Sequence, residues 1–385
     1  MLIYIALALV LLTGIVQWRA AAREARAEAS HPPVGEIIDI DGLKVHAQVM
    51  GQGPDLVLIH GASGNLRDFT LGFAQSLSSR YRVILFDRPG MGHSERLPGK
   101  RGAWNPKGES PQEQAALLQQ AADRLGVETP IVMGHSFGGA VALAWGLARP
   151  RDTAALVLVS AVSKPWPGGL GWLYNVSASR LGGAFFIPAV TAFVPRNVVQ
   201  DSLSAIFAPQ SAPEGYAEHI GTGLTLRRIA SRANAQQVHQ LRPHVVAMDA
   251  KYDLLKMPVE IIHGDADTIV PMHIHAERLV NDLPDAALTR LPGMGHMPHH
   301  ADPEAVIAAI DRQKSSKSKS KQLSEALLSG TPIVVVTIQT FPYAMEAIIT
   351  DKALKGKNFA VIIDEAHNSQ TGATAAKLQA ALGMS

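Results

Sequence analysis

Residues 131–139 read I-V-M-G-H-S-F-G-G, and they decide the fold because they join a strand to a helix through a serine. Three apolar residues lead into Gly134-His135-Ser136-Phe137-Gly138, and the Ala-rich run 140–145 that follows is typical of a helix. A serine on such a tight turn takes a strained backbone conformation, and the flanking glycines leave room for it. We therefore expect Ser136 to be a nucleophile, the alternative being an unimportant serine at a Gly-rich helix start.

Alternating strand and helix patterns on both sides of this turn predict an α/β fold. Residues 36–50 alternate around Asp41-Gly42, which indicates a β-hairpin. A short buried strand is predicted at 55–59, further strands at 81–86, 131–133, 155–159, 259–262 and 287–291, and helices at 67–79, 111–125, 274–283 and 303–312. Strands that alternate with helices form a mostly parallel sheet that is covered by helices on both faces.

Two further strand ends supply an acid and a histidine after the serine. Asp267 follows the strand at 259–262, and His296 follows the strand at 287–291. Because the carboxyl ends of parallel strands lie along one edge, these side chains can meet Ser136 in one crevice. Histidine takes the serine proton and returns it to a leaving group, while a carboxylate fixes the imidazole tautomer. Asp265 lies two residues before Asp267, and periodicity alone does not choose between them.

The negative oxygen that such a reaction forms needs hydrogen-bond donors. The N–H of Phe137 opens the helix after the serine and is the first candidate. The N–H of Ala62, just after His60-Gly61 at the end of another strand, is the natural second donor.

The chain resembles the α/β-hydrolase family over about residues 34–312. The matching pieces keep the family's order: His60-Gly61, then 87–94, 134–139, 263–267, 269–271 and 293–296. The resemblance implies an α/β-hydrolase fold in which Ser136 is the nucleophile, Asp267 the acid and His296 the base. It also implies that Ala62 and Phe137 form the oxyanion hole.

The same resemblance implies a reaction class. An acyl group is expected to pass to water through an acyl-serine, with no cofactor. A serine nucleophile, in place of an aspartate, argues against epoxide opening and halide displacement. Residues 161–249 interrupt the strand and helix alternation, and by the resemblance they form a helical cap over the substrate. The aromatic residues of the cap favour an apolar acyl or aryl ester.

The remaining histidines near the strand ends have simpler interpretations. We expect His60, His135 and His263 to bond the backbone at their turns, and His299 and His300 to have a surface role. The run that contains residues 296, 299 and 300 has no fixed carboxylate or cysteine pattern beside it, so no metal is expected there.

The N-terminus is apolar and uncharged through residues 2–18, which predicts a transmembrane anchor within residues 1–18. Three arginines follow the segment, so the positive-inside rule favours an uncleaved anchor in a bacterial-type inner membrane, with the hydrolase domain in the cytoplasm. The alternative is a signal peptide cleaved near residues 20–22, which would export the domain. Residues 19–33 are predicted to form a charged stalk.

The C-terminal composition changes after residue 312. Residues 313–322 predict a polar linker, and residues 323–385 follow it with apolar runs. The tail from about residue 315 resembles a fragment of the RecA-like DEAH helicase motor of type I restriction enzyme R subunits, through 337–341 and 362–370 with Asp364-Glu365-Ala366-His367. The chain has no G-x-x-x-x-G-K-[ST] loop to hold phosphates, so we expect a truncated, chimeric C-terminus without ATPase activity or functional nucleic-acid binding.

Three hypotheses for the 385-residue chain follow. The first is a membrane-anchored serine hydrolase that cleaves a carboxylic ester or a related acyl compound. The second is a nucleic-acid-dependent ATPase or restriction motor component built around Asp364 and Glu365. The third is an inactive hydrolase-like binding module. The formal net charge of +2 is too small to favour nucleic acid, and the lack of cysteine excludes disulfides and thiolate metal sites.

Overall fold

The computed structural model describes residues 1–315, and the centre of this part is an eight-stranded sheet. The strands are β1 (Glu36–Ile40), β2 (Leu43–Met50), β3 (Asp55–Ile59), β4 (Arg82–Phe86), β5 (Ile131–His135), β6 (Ala155–Val159), β7 (Val259–Gly264) and β8 (Ala286–Leu291). The predicted hairpin is the antiparallel pair β1 and β2, which turns at Asp41-Gly42.

The sheet order is β1-β2-β4-β3-β5-β6-β7-β8. Strand β2 pairs antiparallel with β1 and β4, and every later pairing is parallel. The chain leaves β3 for β4 on one side and returns to β5 on the other. This reversal opens a crevice beyond the carboxyl ends of β3 and β5, where open α/β sheets bind their ligands.

Fourteen α-helices fall within residues 1–315. They are α1 (Leu2–Ser30), α2 (Phe73–Ser78), α3 (Pro111–Arg124), α4 (Phe137–Ala148), α5 (Trp172–Ala178), α6 (Ile187–Phe193), α7 (Arg196–Phe207), α8 (Tyr216–His219), α9 (Thr222–Thr225), α10 (Arg228–His239), α11 (Leu241–Asp249), α12 (Ala276–Asp282), α13 (Pro298–Ala301) and α14 (Pro303–Ser315). A π-helical segment, Gly182–Phe186, leads directly into α6. Helices α5 to α11 lie between β6 and β7.

Alternate residues of the parallel strands point into two separate cores. In β3, Val57 and Ile59 pack with α3, α4, α11 and α12 on one face of the sheet. Leu56 and Leu58 pack with α2 and α14 on the other face. The sheet is therefore covered on both sides, which explains why its strands are nearly continuous apolar runs.

The predicted helix at 67–79 is wrong. A single 3-10 turn, Leu66–Asp68, is followed by the six-residue α2. Gly72, with φ of 89°, separates the two pieces, and this left-handed conformation does not fit a continuous right-handed helix. The break leaves Asp68 buried beneath the site described below.

The N-terminal helix α1 is continuous through the predicted boundary at residue 18. Residues 2–15 of the helix are exposed, and its later part lies on the cap. The Arg19 guanidinium donates to the Ala192 carbonyl at 2.9 Å, and Arg228 forms an ion pair with Glu24 at 2.6 Å. Within residues 1–315, α1 is long and apolar enough to cross a membrane, and an N-terminal signal sequence would have the same character.

At the other end of the described region, α14 continues to Ser315. The first residues of the predicted linker 313–322 are therefore helical. The rest of that linker and the predicted helicase-like fragment 323–385 lie outside the described residues.

Candidate active site

The predicted turn between β5 and α4 has the strained geometry that its motif requires. Ser136 has φ of 53° and ψ of −117°, and it immediately precedes the first residue of α4. A Cβ on Gly134 would lie 2.2 Å from the Gly138 carbonyl oxygen, and a Cβ on Gly138 would lie 2.2 Å from the Ile59 oxygen. Only glycine fits at these two positions, so the glycines let the turn close tightly against β3.

The structure brings Ser136, Asp267 and His296 together at the carboxyl edge of the sheet. The His296 Nε2 lies 2.9 Å from the Ser136 Oγ, and the His296 Nδ1 lies 2.8 Å from the Asp267 Oδ2. All three residues are buried, with 5 to 7% of their surface exposed. The imidazole therefore bridges a hydroxyl and a carboxylate, which is the arrangement in which a histidine can deprotonate a serine.

The same geometry distinguishes the two acidic candidates of the loop after β7. The Asp267 Oδ1 accepts the N–H groups of Ile269 and Val270, both at 2.9 Å, which fixes the carboxylate beneath His296. Asp265 is exposed, and its carboxylate accepts the Gly293 N–H at 2.7 Å. Asp265 stabilises the neighbouring loop and makes no bond to the histidine.

The carboxylate of Asp267 is ionised at neutral pH. Burial raises the pKa of this carboxyl, but hydrogen bonds from His263 and His296 outweigh burial and hold the pKa below its usual value. A negative charge beside His296 favours the protonated imidazole that forms when serine gives up its proton.

The two backbone N–H groups that were predicted as oxyanion donors belong to segments that lie beside Ser136. Phe137 is the first residue of α4, so its N–H has no acceptor within the helix. A Cβ built on Gly61 would lie 3.2 Å from the Ser136 Cβ, so the turn that carries the Ala62 N–H contacts the serine directly.

A buried arginine, which the sequence analysis did not single out, holds the turn at 60–62 in place. Arg88 follows β4 and donates to the carbonyl oxygens of His60 at 3.0 Å and Gly61 at 2.9 Å. In a planar trans peptide the C=O and N–H point in opposite directions, so binding the Gly61 carbonyl aims the Ala62 N–H away from Arg88. The guanidinium also lies 4.4 Å from the centre of the Phe137 ring, so it contacts both sides of the predicted oxyanion hole.

The expectation that three histidines bond the backbone at turns agrees with their contacts. The His60 Nδ1 lies 2.9 Å from the Gly61 oxygen, and the His263 Nε2 lies 2.7 Å from the Val270 oxygen. The His135 Nε2 donates to the carbonyl of His296 at 2.9 Å. This bond ties the residue before the serine to the backbone of the histidine.

The expectation of a surface role for His299 and His300 is wrong. His299 is buried, His300 is mostly buried, and both rings bond the Asp68 carboxylate, at 3.2 and 2.9 Å. Asp68 also accepts the Tyr216 hydroxyl at 2.7 Å, so this acid joins the closing segment of the domain to the cap. The break in the predicted helix at 67–79 is what turns Asp68 inward, and sequence periodicity gives no signal for it.

Within residues 1–315, one group of side chains has the types and spacing to hold a metal ion. Ligand atoms of Asp68, His135 and His299 lie within 4.8 Å of one another. The Asp68 oxygens already accept bonds from His299, His300 and Tyr216. We therefore interpret this group as hydrogen-bonded side chains that support the site from below. No step of the mechanism proposed below uses a metal.

The cap contacts both loops of the site. The Asn234 side chain accepts the N–H of Ser63 at 2.7 Å, just after the turn at 60–62. On the other side, the Gln210 side chain donates to the Gly293 oxygen at 2.8 Å and accepts the Gly295 N–H at 2.9 Å. Cap movements would therefore act directly on the loops that carry the oxyanion donors and the histidine.

Comparison with known proteins agrees with this fold. The Alpha/beta hydrolase family model matches residues 56–309. The SWI2/SNF2 ATPase model matches residues 303–385, in line with the resemblance of that segment to a fragment of an ATPase motor. The polyketide synthase ThaQ of Burkholderia thailandensis is 30% identical over 295 residues, which cover 72% of this chain but only 13% of that protein.

Two further relatives match over almost their whole length. The pimeloyl-[acyl-carrier protein] methyl ester esterase of Nitrosomonas europaea is 25% identical, over 69% of this chain and 98% of the esterase. A crystal structure described as a membrane phospholipase A superposes with a TM-score of 0.57 and 21% identity, over 82% of this chain and 99% of that one. The sheet order, the strained serine turn and the match over residues 56–309 lead to one conclusion: this chain belongs to the alpha/beta hydrolase family.

Proposed function

We propose that the protein is a serine hydrolase that cleaves a carboxylic ester or a related acyl substrate through an acyl-enzyme. The observation that carries this proposal is the His296 ring, which lies 2.9 Å from the Ser136 hydroxyl and 2.8 Å from the Asp267 carboxylate. The strained turn at Ser136 presents the nucleophile, and the backbone N–H groups of Ala62 and Phe137 are the proposed donors to the negative oxygen.

The first half of the reaction forms the acyl-enzyme. The His296 Nε2 takes the proton from Ser136 Oγ as the oxygen attacks the carbonyl carbon of the ester. The carbonyl oxygen becomes negative and accepts the N–H groups of Ala62 and Phe137. The imidazolium then gives its proton to the departing alkoxide, and an alcohol leaves. Asp267 stabilises the imidazolium throughout.

The second half returns the enzyme to its starting state. A water molecule takes the place of the alcohol and gives a proton to His296 as it attacks the acyl carbon. The same two N–H groups hold the second negative intermediate. The imidazolium returns the proton to Ser136 Oγ, and the carboxylic acid leaves. No cofactor enters this sequence of steps.

An apolar acyl ester is the substrate class that we favour. The cap between β6 and β7 is rich in aromatic and aliphatic side chains, and apolar lining favours apolar ligands. Two of the similar proteins, the pimeloyl methyl ester esterase and the membrane phospholipase A, have names that describe ester cleavage.

We propose that α1 anchors the protein to a membrane. Its exposed N-terminal part is apolar and uncharged. The helix is long and apolar enough to cross a membrane.

The proposed function is tested by hydrolysis of p-nitrophenyl esters of increasing acyl length. We expect the wild-type protein to release p-nitrophenol and Ser136→Ala to lose at least about a thousandfold in kcat while keeping its circular dichroism spectrum. Ser160→Ala, which alters another buried serine at a strand end, is the matched control and should retain activity. A folded Ser136→Ala protein with wild-type kcat would refute the proposal.

The second candidate is a nucleic-acid-dependent ATPase, favoured by the SWI2/SNF2 match at residues 303–385 and by Asp364 and Glu365. The chain lacks the phosphate-binding loop and lysine that such motors use. We therefore expect no DNA-stimulated ATP hydrolysis from the purified full chain. Measurable stimulated turnover would assign the C-terminal segment a function of its own.

A further inference from the structure

The exposed part of α1 is short for a membrane span. Residues 2–15 are all exposed, and at 1.5 Å per residue they extend about 21 Å, against a hydrocarbon core of about 30 Å. The apolar run continues to Trp18, but Val16 and Gln17 already lie half-buried beside the cap. Residues 2–15 alone do not fill the hydrocarbon layer. Where residues 16–18 complete the span, the domain edge next to them meets the bilayer.

The part of the cap beside this edge is apolar on its outer surface. Arg19 ends the apolar run, and its guanidinium lies 5.2 Å from the centre of the Phe193 ring on α6. The chain before α6 exposes Phe185, whose ring lies 5.9 Å from that of the exposed Trp104. The half-buried Phe186 has its ring 6.2 Å from that of the exposed Trp172. Aromatic side chains therefore lie both beside the base of the span and on the outer cap.

The exposure of these side chains is large for a protein surface that faces only water. Trp172 is 68% exposed, Leu181 is 66% exposed and Phe185 is 54% exposed. The segments Trp172–Ala178 and Gly182–Phe193, bent by 90°, are together as long and apolar as a helix that crosses a membrane. Large apolar side chains that are exposed in one stretch of the chain are typical of a surface that contacts a membrane or a protein.

Charge and residue type favour a lipid surface over a protein partner. The sequence has no acidic residue between Asp152 and Asp201, while Arg180 and Arg196 are exposed beside the aromatic residues. Tryptophan and arginine both prefer the headgroup region of a bilayer, and anionic lipids attract the arginines. Helices that lie in this region bury their apolar faces by about 5–10 Å.

We propose that cap residues 172–198 lie in the headgroup region of the same bilayer that α1 crosses. The cap is then a second membrane contact, and the site beneath it receives its apolar ester from the lipid side. The proposal rests on the proposed membrane anchor. It adds cap residues 172–198 to α1 as a second contact with the bilayer.

The test uses single cysteines, since the natural chain has none. The full chain is labelled with an environment-sensitive fluorophore at Leu181→Cys on the cap, at Ile5→Cys within α1, and at Gln120→Cys on the exposed face of α3. Each protein is reconstituted into vesicles that contain phosphatidylglycerol and a nitroxide-labelled lipid. Hydrolysis of a soluble ester checks that each variant is folded.

We expect lipid nitroxide to quench the label at residue 181 at least about fivefold more than the label at residue 120. Equal lipid quenching of the labels at residues 181 and 120, together with quenching of the label at residue 5, would contradict the cap contact. That result would still support the membrane anchor. Protection of residue 181 from aqueous iodide without lipid quenching would indicate a second copy of the chain there and would also overturn it. An unquenched label at residue 5 would refute the anchor and the cap contact together, whatever the ester assay shows.

Discussion

Ser136 occupies a backbone conformation that costs free energy, and its neighbours are the residues that make the conformation possible. Left-handed backbone at a non-glycine residue costs roughly 1–3 kcal/mol, and it persists where the surrounding packing enforces it. Here the enforcing contacts come from glycines that press α4 against β3 and β6. Backbone strain is concentrated at active sites, and the hydroxyl of the strained Ser136 lies within hydrogen-bond distance of His296.

Asp267 is expected to act only through His296. Asp267→Asn would keep the shape of the loop but allow the wrong imidazole tautomer, so we predict a fall in kcat of about a thousandfold or more. Asp265→Asn is the matched control from the same loop, because its carboxylate bonds only the Gly293 N–H in the loop before His296. Steady-state kinetics on a short ester measure both. Equal losses in the two variants would show that Asp267 has no special role.

Arg88 is predicted to be a positioning residue for the oxyanion donors. Arg88→Lys retains the charge but cannot hold the carbonyls of His60 and Gly61 together, so the Ala62 N–H should shift. A shift of about 1 Å costs roughly a hundredfold, so we expect that loss in kcat with little change in KM.

Arg96→Lys is the control for Arg88, because Arg96 is equally buried but bonds Glu109 and Gln236 instead of the turn at 60–62. The two variants should lose similar stability in urea and differ in kcat. A parallel rise in KM without a loss of kcat in Arg88→Lys would contradict the positioning role.

At the scale of elements, ion pairs and the close packing of small residues hold α1 against the cap. Arg228 pairs with Glu24, Arg227 pairs with Glu28 at 2.8 Å, and Ala27 packs against Gly223. Arg19, Arg23 and Arg26 follow the apolar segment of α1. Two of these donate to carbonyls of the cap, at Ala192 and Val194, so their positions have a structural cause apart from membrane orientation.

We predict that Arg228→Ala loosens the docked half of α1. The pair is partly exposed, so the loss in stability should be only about 1 kcal/mol or less, but amide hydrogen exchange in residues 19–30 should quicken. Arg124→Ala, which breaks an exposed pair with Asp41 at 3.7 Å, is the control. Unchanged exchange in residues 19–30 would mean that the ion pairs do not hold the helix.

Elements differ in how well local sequence specifies them. The hairpin and the buried strands were predictable because Asp41-Gly42 and short apolar runs act locally. The helix at 67–79 was wrong because Gly72 takes a left-handed conformation and because Asp68 bonds Tyr216 and His299, which lie more than 100 positions away. Arg88 was missed because its partners, at residues 60, 61, 114 and 237, are distant from it in sequence. The contact between α1 and the cap likewise joins distant residues. Ser136, Asp267 and His296 were predictable because each follows a strand end and the order of the three matched a known family.

At the scale of the whole molecule, buried ionisable groups make stability depend on pH. Burial, with a contribution from Arg88, lowers the pKa of His60 to about 4, and burial, with contributions from His299 and His296, lowers the pKa of His135 well below its usual range. These rings stay neutral in the fold and take up protons when the chain unfolds. Below about pH 6.5 the unfolded state binds more protons, so the free energy of unfolding must fall as pH falls.

We predict a loss of about 3 kcal/mol between pH 6.5 and pH 4 from His60 alone, at 1.4 kcal/mol per pKa unit. Urea unfolding at several pH values measures this slope. His60→Gln should flatten it, and His239→Gln, which removes an exposed ring, should not. A stability that is constant from pH 7 to pH 4 would contradict the neutral buried histidines.

The central claim is that Ser136 is the residue that becomes acylated, and a covalent serine probe tests it most directly. The full-length protein is treated with a fluorophosphonate, digested, and searched by mass spectrometry for the modified peptide. The account predicts a single adduct on Ser136, absent after heat denaturation and reduced at least about a hundredfold in Asp267→Asn. No adduct on the folded protein, or an adduct on a different serine, would contradict it.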